Sequence, residues 1–417
     1  MRIRRLSTLF AIGLMVAGLS HAQQVGRRAV VVTVQNLAPA GGTYQSPIWI
    51  GFHDGGFDLY DLGMASSEAL ERIAEDGDTA ALNALFATMM PDGIQTTVAA
   101  NGMMPPLAPG QLASRIFELD PSDPNTRYFS FASMVLPSND TFVGNDSPVA
   151  HPIYNDRGRF VAEGFTVAGP GGAIDAGTEA NDELPANTAF LGQSVANSGD
   201  DELGVVHTAS GFNAVGSGGV LDEPQFAHAD YTEVRYNLLA FRFHLIDLGG
   251  STTFAGRLSV QQEIPAPIVE RRPGGGKIRL QLLSDGDGLS FRIETRSLSG
   301  PITGAHLHLA PAGQTGPVVV DLLALRDRDR RRFVGTITPD DVMGVLGDAD
   351  RPFSALLAEL ASGAIYVNVH TELNPAGEIR GQLFPGPRGV VRIEAMDDGE
   401  GPPLLPGGRI PDDLQNR

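Results

Sequence analysis

Apolar residues in this chain come mostly in short runs bounded by turn residues, not at helical spacing. AVVVTVQNL (residues 29–37) predicts a buried strand, and PIWIGFHDGGFDLYDLG predicts a second strand followed by a glycine-rich turn. Further strands are expected at QTTVAAN, RYFSFASMVL, GRFVAEGFTV and EVRYNLLAFRFHLIDL. In the last of these Leu239, Phe241, Phe243 and Leu245 alternate with polar residues, as in a half-buried strand. One stretch has helical character, SSEALERIAEDGDTAALNALFATMM. Ser66 or Ser67 can cap it, Glu68 stands in its first turn, and Leu70, Ile73, Leu82 and Leu85 recur around a break at Asp76-Gly77. The pattern sharpens from Thr253 onward: KIRLQLL, LSFRIET, GAHLHLA, PVVVDLL, RFVGTIT, AIYVNVHTEL and EIRGQLF are evenly spaced strands with turns between them. Such spacing predicts an antiparallel sandwich or barrel over 253–385. RDRDRRR (326–332) reads as a solvated hairpin loop, and 386–417 is too poor in apolar residues for a core and is expected to be disordered.

A length of 417 residues points to two domains, and 51 glycines with 29 prolines fit many short strands and turns. Residues 1–22 have the three parts of a secretory signal: basic Met1–Arg5, the apolar LSTLFAIGLMVAGL, and small Ser20 and Ala22 before a cleavage point ahead of Gln23. The expected location is therefore secreted or periplasmic, with a first domain over 23–249. The apolar run is shorter than the roughly 20 residues a spanning helix needs, so no membrane span is expected. Cysteine is absent, which removes lipid anchoring, thiol chemistry and cysteine-based metal sites. The formal charge is −19, a field that repels nucleic acid and attracts cations. No Gly-x-Ser-x-Gly elbow, His-Glu-x-x-His pair or phosphate loop occurs, so the chain is read as non-enzymatic.

Chemistry concentrates in two places. The first is Asp140, placed in a turn after the strand MVL by Pro137-Ser138-Asn139, together with Asp175 and Glu179, four apart in IDAGTEANDE. Acids in turns often bond only their own backbone. Alternatively, loops meeting at one end of a sandwich can assemble the oxygen ligands, about 6–8, that calcium takes. SPIWIGFHDGGFDLYDLG, SSEALERIAEDGD, YFSFASMVLPSNDTFVGND and IDAGTEANDE together resemble the spondin N-terminal domain, the adhesive module of F-spondin and mindin, over about residues 27–249. The resemblance implies an antiparallel β-sandwich holding one calcium in its end loops, with Asp140, Asp175 and Glu179 as ligands. Glu179 stands where that family tends to have Asp. Asp146, Asp156, Asp182 and Glu183 are further acids near enough in sequence to assist.

The second place is the histidines. His306 and His308 share one strand face, as do Tyr366, Asn368 and His370 on another strand. Three imidazoles so arranged either make hydrogen bonds on a polar or semi-buried sheet face or hold zinc or copper. A hairpin register pairing Thr371 with Ile379 and His370 with Arg380 would set a fixed positive charge beside the metal, and no fourth ligand is evident. The segments FAGRLSVQQEIPAP, GAHLHLAPAGQTGPVVVDL, FVGTITPDD and AIYVNVHTELNPAGEIRGQL resemble the chordin-type CHRD domain over about 253–385. That resemblance implies a β-rich extracellular module without established catalysis. The expectation is a calcium-binding adhesion or recognition protein whose partner is an extracellular or envelope protein or glycan. A dismutase-like copper or zinc protein and a purely structural envelope protein are the alternatives.

Overall fold

The structure is a computed structural model describing residues 28–99, 106–269, 272–327, 333–343, 346 and 351–386. Residues 1–22, expected to be a signal segment, residues 328–332 of the arginine-rich run and the tail from 387 lie outside the described residues. The protein is mainly β, with antiparallel sheets in both halves.

Strand Arg28–Asn36 organises the first half. Its two faces both carry small apolar residues, and each enters a different core: Val30, Val32 and Val34 point one way, Ala29 and Val31 the other. It runs antiparallel between Leu112–Phe117 and Asn237–Asp247, with Phe165–Ala168 completing a four-stranded sheet. A second sheet, built around Ile48–His53 and Tyr128–Leu136, faces it. Ile48, Ile50, Phe52, Phe129 and Phe131 meet the valines and Phe241 between the sheets, which is the predicted sandwich. The outer face of the second sheet carries Trp49, Ala132 and Phe142 and is covered by helices Glu68–Asp76 and Ala80–Met89 through Leu70, Ile73, Leu82 and Phe86. Ser67 caps the first helix, its Oγ accepting from Leu70 N at 3.2 Å, and Gly77 ends it in the left-handed conformation. The break foreseen at Asp76-Gly77 is thus a helix terminus.

The second half is one antiparallel sheet, nearly closed into a barrel, running from Thr253–Ser259 to Phe384–Pro385. The structure corrects the sequence reading in three ways across the two halves. First, the helical insertion has a companion: Pro352–Ser362 is a third helix, started by Pro352 and closed by Gly363. It is buried almost all round, so it lacks the amphipathic periodicity that marked the others. Phe353, Leu356 and Leu357 share a core with Ala29, Val31 and Ile116 on the far face of the four-stranded sheet, so the two halves are joined by packing as well as by chain.

Second, GRFVAEGFTV forms a strand only over Phe165–Ala168; Phe160 is taken up by a local bridge to Tyr154. Third, the hairpin register is shifted by two residues: Val369 faces Ile379 and Asn368 faces Arg380. The turn is wider than the NPAG tetrad suggested. Thr371 and Asn374 close on each other's backbone, Gly377 N donates to Asn374 O, and the Glu378 carboxylate accepts from Ser299 N at 2.8 Å and Thr371 Oγ1 at 2.6 Å. Parity is unchanged, so the apolar face is as expected. Arg380, however, leaves His370 and lies over the ring of Tyr366, 3.5 Å from its centroid.

Candidate metal-binding site

Strand Tyr128–Leu136 ends at Pro137, and Ser138 holds the bend, its Oγ donating to Val135 O and accepting from Thr141 N at 3.1 Å. Asp140 therefore enters the sandwich end fully buried, while Thr141 pairs with Asp175 in the neighbouring short strand Ile174–Asp175. Ladder pairing is what brings acids far apart in sequence side by side. One ligand oxygen each from Asp140, Asp175 and Glu202 lie within 4.8 Å of one another. Asp175 and Glu202 also line a cavity of about 350 Å³ that has Tyr231 in its wall.

The turn after Asp175 is built to serve Asp140. Gly177 takes a φ of 66°, and a Cβ there would lie 2.6 Å from Val205 O, so only glycine fits. This tight passage aims Thr178 N and Glu179 N at Asp140 Oδ2, at 2.8 and 3.1 Å, with Thr178 Oγ1 at 3.2 Å. The other oxygen, Asp140 Oδ1, is buried without a hydrogen-bond partner. Asp175 is held by Gly177 N at 2.8 Å and Asn181 Nδ2 at 2.7 Å.

Glu179 is buried beside Asp140, but its carboxylate turns to Asn139, which donates to Oε1 at 3.3 Å; its Oε2 has no partner. Burial, reinforced by the charge of Asp175, pushes Asp140 up to about 7. Burial likewise pushes Glu179 up to about 8. Metal-free, this is a costly arrangement. It suits a hard cation, which would meet the unpartnered Asp140 Oδ1 and neutralise the acids around it.

Of the further acids, Asp146 is exposed; Asp156 pairs with Arg127 at 3.0 Å; Glu183 accepts from Val220 N at 2.7 Å and from Asn213 N; Asp182 accepts from Leu184 N and Asn187 and, like Glu179, from Asn139 Nδ2. Glu202, which sequence reasoning missed, arrives through the pairing of Glu179 with Asp201. Its signal was the acid run in GDDELG, without anything in the sequence to say which ladder it joins.

The three histidines also converge, with one ring nitrogen each within 4.8 Å of the others. A fourth group, Asp321, pairs with His306 across the ladder, its Oδ1 4.0 Å from His306 Nε2. Among the described residues no helix is long and apolar enough to cross a membrane.

Fold and site together define a two-module β protein with buried acids at one end of its first sandwich. Residues 39–148 match the Spondin_N family model and residues 254–383 match the CHRD domain model, so the chain carries these two domains in that order. Both are non-enzymatic families typical of extracellular recognition or adhesion proteins. The Spondin_N match includes Asp140 and stops before Asp175, Glu179 and Glu202. No curated protein matches the chain.

Proposed function

We propose that this chain is an exported, calcium-binding recognition protein. One calcium ion bound at Asp140, Asp175 and Glu202, with Glu179 buried beside them, fixes the end loops of the first module. Those loops then engage an extracellular protein or glycan. The observation that carries this reading is Asp140 Oδ1, a buried carboxylate oxygen that no donor reaches, in a cluster where Asp140, Asp175 and Glu202 each offer an oxygen within 4.8 Å of the others. A buried acid is normally satisfied, and a cation is the partner that satisfies several at once. The negative charge of the whole chain draws divalent cations to the rim. Leu203 and Val205 flank Glu202 and Gly177, and at 88 % and 46 % exposure they offer apolar contact there.

The test is calorimetric titration of chelator-stripped mature protein with calcium, alongside melting curves with and without the ion. One ion per chain and a raised melting temperature are expected. No heat and an unchanged melt would overturn the reading. Binding to arrays of extracellular glycans and matrix proteins, lost on chelation, tests the recognition half.

A further inference from the structure

The histidine cluster of the second module carries an inference independent of the calcium site. We infer that His306, His308 and His370 bind a d-block dication, Zn²⁺ or Cu²⁺, with Asp321 orienting His306.

Backbone carbonyls fix the tautomers of two of the three imidazoles. His370 Nδ1 lies 2.9 Å from the carbonyl of Pro375, an acceptor only, so Nδ1 carries the proton and Nε2 is left bare. His308 Nδ1 lies 3.0 Å from the carbonyl of Gly316, which fixes the same tautomer. Its Nε2 is buried and has no hydrogen-bond partner at all. Donation of one ring N–H to a backbone carbonyl, leaving the second nitrogen bare, is how proteins orient metal-binding histidines.

His306 stands between them. Its Nδ1 is 3.0 Å from His370 Nε2, and its Nε2 points toward Asp321 Oδ1 at 4.0 Å. Without metal, His306 Nδ1–H donates to His370. With metal, the proton moves to Nε2, facing the Asp321 carboxylate, and Nδ1 becomes the third ligand. Ligand nitrogens on a tetrahedral zinc, about 2.0–2.1 Å from the ion, are about 3.3 Å apart. The His306–His370 pair, at 3.0 Å, is close to that spacing, and a ring nitrogen of His308 lies within 4.8 Å of one on each of the other two.

The His308 ring stacks on Tyr366 at 4.8 Å and 7°, which sets its plane. Gly304, opposite His370 in the ladder, leaves space for the cluster: a Cβ there would lie 3.0 Å from His370 Cδ2 and 3.2 Å from His306 Cε1. Hydrogen bonding alone accounts for the His306–His370 contact and leaves His308 Nε2 unexplained. A metal accounts for both.

The test uses untagged mature protein stripped of metal, titrated separately with Zn²⁺ and Cu²⁺ by calorimetry, with electron paramagnetic resonance on the copper form. One ion per chain and nitrogen hyperfine structure from imidazoles are expected. His308→Gln should weaken binding by at least roughly 100-fold. Asp140→Asn, which removes an acid of the calcium site, should leave it unchanged, so failure here and failure of the calcium reading are separable. Asp321→Asn and Gly304→Ala keep every ligand and should still weaken binding. Absence of stoichiometric binding, an oxygen-only copper spectrum, or binding unaltered by His308→Gln would overturn the inference.

Discussion

Asp140→Asn separates the electrostatic claim from simple packing. The asparagine is isosteric: its carbonyl oxygen takes the place of Oδ2 and keeps the donors Thr178 N, Thr178 Oγ1 and Glu179 N, while its amide occupies the place of the unpartnered Oδ1. What changes is the charge. Asp140 titrates near 3.8 when unfolded and about 7 when folded. The native state therefore binds the proton more tightly, and stability present below about pH 4 is lost as pH rises through about 7. At about pH 8 without metal, keeping Asp140 ionised costs on the order of 4 kcal/mol. Asp140→Asn should recover much of that at about pH 8 and almost none at about pH 4. A change of 1 kcal/mol moves a melting temperature by about 2–4 °C at this scale of domain.

Calcium should close the gap. The wild-type protein gains about 2.7 kcal/mol at a free concentration of about 100 Kd and about 4.1 kcal/mol at about 1,000 Kd, and the variant gains nothing. The assay is a set of melting curves for both proteins at acidic and alkaline pH, each in chelator and in calcium. If Asp140→Asn in chelator melts below wild type at about pH 8, or if it keeps the calcium response, Asp140 is not a buried charge awaiting a cation.

Gly177→Ala should destabilise the metal-free protein by at least about 1 kcal/mol and weaken calcium binding, because the Cβ meets Val205 O at a positive φ; melting with and without calcium checks both. Leu356→Ala should cost about 2–5 kcal/mol, and because this helix shares its core with Ala29 and Val31, calorimetry should show one transition that moves as a whole; two transitions, only one displaced, would refute the shared core. Glu378→Ala strips acceptors from Ser299 N and Thr371 Oγ1, at about 1–3 kcal/mol for each buried donor left unsatisfied. Hydrogen exchange should then accelerate across the 365–371 and 379–382 strands.

How much was legible follows from what each residue depends on. Alternation and turn residues are local properties, so the strands of the second module, the paired helices and their break at Gly77 could all be read directly. Helix Pro352–Ser362 was hidden by its own burial: apolar on every side, it offers no period to detect. The hairpin register was predicted with correct parity, because facing the core is a property of one strand. It was wrong by two residues, because the turn is set by Glu378 reaching Ser299, a partner 79 residues away.

The same distinction explains both candidate sites. Asp140, Asp175 and the three histidines announced themselves by local motif. Glu202 and Asp321 are ordinary acids until a neighbouring strand carries them in, Glu202 through the 179–201 bridge and Asp321 opposite His306. In each module, then, the candidate residues visible in the sequence are those anchored by a turn or a strand face, and the further acid arrives by pairing. Asp321→Asn keeps an acceptor for Leu323 N and Ala324 N and removes only the charge facing His306, so metal affinity at the histidines should fall with the fold of the barrel kept. Equal affinity in that variant would show that the acid the ladder delivers does not complete this site.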